Sequence, residues 1–149
     1  MLDRRGFSLI EIMTVVIMAG ALMLVGFPRL NQAFVSASVN GGSGAVASTF
    51  ARARAVAVET GRTSRLRLSG NSIYVTASPR LNPGAGTMDT VGPIQNLNEQ
   101  YGVSVTVTDT TLGFDPRGFG LNTSTVSAVV SKSTTIDTLR ISAFGRVQP

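Results

Sequence analysis

The side chains that most often carry catalysis or bind metal ions are scarce in this chain. Its 149 residues include no Cys and no His. Thiolate and imidazole metal ligands, cysteine nucleophiles and Ser-His-Asp triads are therefore excluded. Outside the N-terminal segment, the acidic residues have neither the spacing of paired catalytic carboxylates nor that of a calcium loop. The composition predicts a protein that is not an enzyme and uses no metal or cofactor.

One acidic residue, Glu11, lies inside an apolar segment. Residues 6–28 separate Arg5 from Arg29, and Glu11 is the only charged residue among them. As a helix with a rise of about 1.5 Å per residue, this segment spans roughly 34 Å, enough to cross a hydrocarbon core of about 30 Å. Two arginines precede it, so the positive-inside rule predicts a cytoplasmic N-terminus. We predict a membrane-spanning helix with the rest of the chain on the outer side.

Other targeting signals fit this segment less well. A signal peptide with its apolar region at 6–18 and a small-residue cleavage site at 19–21 would hold Glu11 within that apolar region. Residues 4–7 have the form of a twin-arginine signal, and Glu11 again interrupts the apolar run that should follow. A plain membrane anchor gives Glu11 no purpose, although an ionised group at the bilayer centre costs about 2.5–3.5 kcal/mol.

A helix cap is the simplest structural explanation of Glu11. Ser8 and Glu11 have the spacing of a capping box, with Phe7 and Ile12 at the two positions of a hydrophobic staple. A cap explains where the helix begins. It does not explain why the carboxylate lies in an apolar segment, because a cap that faces water avoids the free-energy cost of a carboxylate in an apolar environment. The functional alternative is that Glu11 receives a cation supplied within the membrane.

The residues around Glu11 also resemble a processing motif. Arg4-Arg5-Gly6-Phe7-Ser8-Leu9-Ile10-Glu11 resembles the prepilin cleavage and methylation motif of type IV pilins and type II secretion pseudopilins. The resemblance implies that prepilin peptidase cuts between Gly6 and Phe7 and methylates the new Phe7 amine. It further implies a leader at 1–6, a transmembrane and filament-core helix at 7–28 and a periplasmic head at 29–149.

The spacing of Phe7 and Glu11 suggests a role in assembly. The two residues are one helical turn apart, so the freed amine and the carboxylate lie on one helix face and can pair within a chain or between two chains. In a helical bundle, the amine of an incoming subunit would neutralise Glu11 of a subunit already present. The predicted partners are prepilin peptidase, other pilin or pseudopilin subunits and the inner membrane, which the chain crosses once before it enters a pilus or pseudopilus.

Beyond the apolar segment, the sequence predicts an α+β fold. Pro28 predicts a kink rather than a stop, and the glycine-rich residues 40–44 predict a hinge or a helix break. A second helix is expected at 45–60, ending at Gly61. The period-two segments that follow predict short antiparallel strands, namely a hairpin of 65–68 with 73–76, strands at 103–107 and 112–114, a turn at 115–118 and a closing hairpin of 126–132 with 136–143. Residues 78–102 predict a long loop. The predicted fold is thus one long N-terminal helix followed by a pilin-like head of packed antiparallel sheets.

Three looser motifs narrow the resemblance. Residues 51–55, 114–118 and 141–146 resemble the GspH/FimT subfamily. This resemblance implies a minor pseudopilin, a structural subunit of a type II secretion pseudopilus. The alternative within the family is a type IV minor pilin, similar to FimT and FimU, that acts in pilus initiation or DNA uptake. The alternative from another class is a binding domain on an uncleaved anchor.

Arginine provides the one candidate for a ligand-binding surface. The net charge is +5, and five arginines fall within residues 52–67. Arg65 and Arg67 alternate with two leucines, so a strand would present both arginines on its outer face. Arginine suits bidentate phosphate contacts, although a solvated charged face is the simpler explanation. Near the C-terminus, Gly145-Arg146-Val147-Gln148 resembles the Gly-Arg-x-Arg tail of FimT-type DNA-uptake pilins, except that Gln148 replaces the second Arg. The candidate nucleic-acid contacts are Arg65, Arg67 and Arg146.

Overall fold

A single long helix opens the fold. The computed structural model describes residues 8–79, 88–142 and 146–148. Helix α1 runs from Leu9 to Thr60, a length of 52 residues, and Pro28 lies inside it, as expected of a proline that does not stop the helix. The kink at Pro28 stays a prediction. Helix α1 ends where the sequence predicts, because Gly61 has a positive φ of 62° that suits a helix terminus.

The predicted helix break at residues 40–44 is wrong, since α1 continues through them. The reason is a tertiary contact that local propensity does not contain. A Cβ atom on Gly42 would lie 2.9 Å from a Cγ atom of Val103 and 3.1 Å from one of Val130, and a Cβ on Gly41 would lie 2.8 Å from the ring of Tyr101. Glycine at these positions allows close approach of the helix backbone to the head. Packing there offsets the cost of about 1 kcal/mol for each helical glycine.

The chain divides into two compact units, Met1–Phe34 and Val35–Pro149. In the first unit, the described side chains are almost all exposed. The second unit holds every buried residue of the described part of the chain, beginning with Val39.

Two antiparallel sheets make up most of the second unit. The described strands and the short helix between them are β1 (Ser64–Ser69), β2 (Ser72–Ala77), β3 (Asp89–Thr90), β4 (Gln95–Asn96), α2 (Leu97–Tyr101), β5 (Ser104–Val107), β6 (Thr111–Phe114), β7 (Val126–Lys132), β8 (Thr135–Ile141) and β9 (Val147–Gln148). One sheet has the order β3-β2-β1-β6, with β4 also paired to β2, and the other has the order β5-β7-β8-β9. The predicted α+β class, a long helix followed by antiparallel sheets, is confirmed.

One hydrophobic core joins α1 to both sheets. The second half of α1 contributes Val46, Phe50 and Ala53, while the inner faces of the sheets contribute residues such as Leu66 and Val130. The Phe50 and Phe114 rings meet edge to face, with centroids 5.0 Å apart, a geometry that aromatic pairs prefer. Small residues on the helix and branched residues on the strands therefore form one interior.

Both predicted hairpins are present. Ser69 pairs with Ser72 across a two-residue turn in which Gly70 has a φ of 60°, and the closing hairpin joins β7 to β8. In the turn that starts at Asp115, a carboxylate oxygen of Asp115 accepts hydrogen bonds from the backbone N–H groups of Arg117, at 3.0 Å, and Phe119, at 2.7 Å. Asp115 is thus a turn residue, as its position before a proline predicts. Residue 143, the last one predicted for the closing hairpin, lies outside the described residues.

The predicted loop at 78–102 is more ordered than expected. Its described part contains β3, β4 and α2, although residues 80–87 lie outside the described residues. The Asn96 side chain caps α2 by accepting a hydrogen bond from the Asn98 N–H at 3.1 Å, and Gly102 ends the helix with a φ of 63°. Elements of two and five residues are too short to show a hydrophobic period, so the sequence pattern misses them.

The contact at Gly42 predicts a pair of opposite substitution effects. Gly44 is exposed, and a Cβ there would meet nothing within 4 Å. We expect Gly44→Ala to raise the free energy of unfolding by about 1 kcal/mol through helix propensity. Gly42→Ala should lower it by about 1–3 kcal/mol, because the new methyl group overpacks the core. Denaturant titration of the full chain in maltoside micelles, followed by far-ultraviolet circular dichroism, measures both; stabilisation by both variants would contradict the close contact.

Candidate functional site

The first half of α1 presents a continuous apolar surface. Leu9, Val16 and Leu24 are 77%, 63% and 79% exposed, and the other large apolar side chains of this segment are at least half exposed. It belongs to the one helix, among the described residues, that is long and apolar enough to cross a membrane. Apolar area of this extent is unstable in water, so it marks a surface for lipid or for other protein helices.

Glu11 lies on this surface, in the first turn of α1. The backbone carbonyl of Ser8 accepts hydrogen bonds from the N–H groups of Glu11, at 3.0 Å, and Ile12, at 3.2 Å. Neither reciprocal side-chain bond of a capping box joins Ser8 to Glu11, and within the described ranges the Glu11 carboxylate has no hydrogen-bond or ion-pair partner. The described contacts therefore do not support a capping role for the Glu11 side chain. Its carboxylate is available to a cation from another part of the chain or from another molecule.

The predicted processing site lies outside the described residues. Gly6 and Phe7 precede the first described residue, so no geometry is given for the cleavage site or for the Phe7 amine. The role of these two residues stays a prediction.

The candidate nucleic-acid contacts are distributed over both sheets. Arg65 and Arg67 lie on the same face of β1, opposite the buried Leu66 and Leu68, as the alternation predicts. Both arginines are half-buried rather than fully exposed. Arg146 is exposed and immediately precedes β9, in the other sheet. The structure therefore groups Arg65 with Arg67 and assigns Arg146 to a different sheet.

A polar cavity adjoins Arg67. Its volume is about 260 Å³, and it is lined by Arg67, Leu68, Ser69, Gly70, Tyr74, Thr110 and Thr111. The Nε atom of Arg67 is buried there without a hydrogen-bond partner in the described structure. Sequence reasoning identifies Arg67 but not the hydroxyl-bearing residues around it, because only the pairing of β1 with two other strands brings them together.

A larger, apolar groove lies along the exposed flank of α1 in the head. Its volume is about 530 Å³, and Phe50, Arg54, Val58 and Val147 are among its lining residues. The Ala-rich sequence of this helix segment gives no signal for the groove, since the small side chains that open it also suit a packed helix.

Comparison with known proteins identifies the fold. No protein-family model and no curated protein matches the chain. Two crystal structures of the type IV minor pilin FimU from Pseudomonas aeruginosa PAO1 do match, each with a TM-score of 0.57 and 14% sequence identity. The matches cover 82% and 73% of this chain, and 90% of the FimU chain in each case.

The chain has the fold of a type IV minor pilin. At 14% identity the likeness concerns the fold, and it confirms the pilin resemblance at that level.

Proposed function

We propose that this protein is a structural, non-enzymatic subunit of a pilin-type filament. The first half of α1 anchors the chain in the inner membrane and then packs against the corresponding helices of other subunits, while the strand-rich head lies in the periplasm. The observation that carries the proposal is the exposed apolar segment, with Glu11 in it, on a chain that has a pilin fold. Lipid and a bundle of apolar helices are the two environments that stabilise such a surface.

Processing by prepilin peptidase precedes assembly in this proposal. The peptidase removes residues 1–6 by cutting between Gly6 and Phe7 on the cytoplasmic side, and the Phe7 amine is methylated. The motif of residues 4–11 supports this step. Removal of the leader also removes Arg4 and Arg5, the charges that hold the N-terminus in the cytoplasm, so the helix is then able to leave the membrane.

The freed amine supplies the cation that Glu11 lacks. An incoming subunit places its Phe7 amine beside Glu11 of a subunit already in the filament. This pairing neutralises a carboxylate whose cost in hydrocarbon is about 2.5–3.5 kcal/mol at the bilayer centre and somewhat less near the end of a span. A purely apolar helix would slide along its neighbours. The polar pair fixes the axial offset between subunits, a use of buried charge that is well attested in coiled coils.

Two filaments remain as candidates. The sequence motifs favour a minor pseudopilin of a type II secretion pseudopilus. The likeness of the fold to FimU supports the alternative, a minor pilin of a type IV pilus.

Glu11 variants test the pairing. We expect Glu11→Val and the isosteric Glu11→Gln to be cleaved normally but to enter filaments about tenfold less well or worse, because the incoming amine then has no carboxylate to neutralise it. The measurement is the ratio of chain in sheared filaments to chain in membranes, read on an immunoblot. Met13→Val, on the same exposed helix, is the matched control and should assemble normally. Normal filament entry of Glu11→Gln would contradict the mechanism.

A Gly6 variant tests processing separately. Gly6→Glu should leave the chain uncleaved, because a peptidase that requires a residue without a side chain before the cut would exclude the larger glutamate. The uncleaved band should migrate more slowly on a gel, and intact mass should show an unmethylated chain that still begins at Met1. Ser8→Ala, just beyond the cut, is the control and should be cleaved and methylated. Cleavage of Gly6→Glu would contradict the assignment of this site.

Photocrosslinking identifies the filament. Val16 is 63% exposed on the apolar surface, so a benzoylphenylalanine photocrosslinker at this position forms adducts with chains that contact the helix rather than the head. In native cells, we expect adducts with chains that carry the same kind of apolar N-terminal helix. Mass spectrometry then assigns those partners either to a secretion pseudopilus or to a pilus. Absence of any adduct with a pilin-type chain would argue against the filament proposal as a whole.

A further inference from the structure

Arg67 occupies the centre of a polar row across three strands. It pairs directly with Tyr74 on β2 and with Thr111 on β6. Residues directly opposite each other on adjacent strands present their side chains on the same face. The phenol of Tyr74, the guanidinium of Arg67 and the hydroxyl of Thr111 therefore form one row on the face opposite the core.

The Arg67 guanidinium lacks partners in this row. Its Nε is buried and makes no hydrogen bond, and no carboxylate within the described ranges forms an ion pair with it. A buried N–H without an acceptor carries an uncompensated loss of hydration, and the penalty is larger when the group is charged. An anion held by the guanidinium would offset that penalty through its attraction to the delocalised positive charge.

The cavity beside Arg67 has the composition of an oxyanion site. Four of its lining residues, Ser69, Tyr74, Thr110 and Thr111, carry hydroxyl groups, and its volume of about 260 Å³ has room for an anion with some of its water. A planar carboxylate is satisfied by the two parallel N–H groups of one guanidinium. Four further hydroxyl donors suit an anion with more oxygens, which favours the tetrahedral phosphate group.

We propose that the pocket formed by Arg67, Ser69, Tyr74, Thr110 and Thr111 binds a phosphate group. Its source is a small phosphate ion or ester, or the phosphodiester backbone of a nucleic acid. This site is separate from the assembly role of α1 and does not depend on it.

Arg65 shows that a strand arginine alone does not make this pocket. It lies two residues away on the same face of β1, but its partners are Thr76, which is buried, and Gly113, which has no side chain. Carbon atoms of Leu121 lie 3.3 Å from the place where a Cβ of Gly113 would be. The β6 neighbour of Arg65 is therefore covered by the apolar Leu121, whereas the β6 neighbour of Arg67 is the hydroxyl-bearing Thr111. For this reason Arg65 is the matched control for the test.

The test follows the Arg67 Nε–H signal directly. Full-length, ¹⁵N-labelled protein is prepared in dodecyl maltoside, which contains no phosphate, and titrated with sodium phosphate while sodium chloride keeps the ionic strength constant. The signal that is missing from Arg67→Lys is that of Arg67. We expect this signal to shift saturably with phosphate and not with chloride.

Variants then separate the pocket from general charge. Arg67→Lys keeps the charge but loses the guanidinium fork, so phosphate-induced shifts of neighbouring amides should require about tenfold more phosphate or more. Tyr74→Phe and Thr111→Val keep the shape and should each weaken binding by roughly two- to tenfold. Arg65→Lys keeps the charge at a residue that does not line the cavity, so it should change binding by less than about twofold at constant ionic strength.

Competition with an oligothymidylate identifies the source of the phosphate group, and three results would contradict the proposal. If an oligothymidylate displaces phosphate from the same signal, the phosphate comes from nucleic acid; if it does not, a small phosphate is the ligand. The proposal fails if the Nε–H signal does not saturate, if chloride reproduces the shift, or if Arg65→Lys weakens binding as much as Arg67→Lys. Amide spectra show whether each variant is folded. If Arg67→Lys does not fold, Tyr74→Phe and Thr111→Val still test whether the pocket binds phosphate.

Discussion

An apolar helix surface that the chain itself leaves exposed is the constraint on which the rest of this structure depends. Every buried residue among those described lies at Val39 or beyond, while the large apolar side chains from Leu9 to Leu30 are exposed. The free energy of folding of the head therefore does not include this surface. Only a second apolar environment stabilises it, and in the proposed function that environment is first lipid and then the helices of other subunits.

In the head, the second half of α1 is part of the hydrophobic core. There α1 is packed against strands, and glycine at positions 41 and 42 allows the backbone to approach Tyr101 and Val103. The Lys132 ammonium group adds a polar contact by donating hydrogen bonds to the Ser38 hydroxyl and the Tyr101 carbonyl, both at 2.9 Å. Interdigitated packing and the hydrogen-bonded ammonium group of Lys132 hold this part of α1 in one register against the strands.

The sequence predicted the features whose pattern lies in neighbouring residues, and it missed those that depend on contacts between distant parts of the chain. Strands β1, β2, β7 and β8 were predictable because one face of each is buried and the side chains alternate. The break at 40–44 was predicted wrongly because helix propensity counts the cost of glycine but not its contacts across the core. The motif around Glu11 is local in sequence and was recognised. The Arg67 pocket was not, because it depends on the register of β1 with Tyr74 and with Thr111, which is far along the chain.

Glu11 and Arg67 both carry charge that the described structure leaves unsatisfied, and their surroundings indicate different partners. A sequence selected for stability alone would replace a carboxylate on an apolar surface and a guanidinium with a buried, unbonded Nε, because each destabilises the state in which it is unpaired. Glu11 is surrounded by apolar side chains, and in the proposed function its partner is an amine carried by another apolar helix. Arg67 lines a cavity together with several hydroxyl-bearing residues, and the partner proposed for it comes from water. The polarity around each group is thus the basis for proposing a protein cation as the partner of Glu11 and an oxyanion as the partner of Arg67.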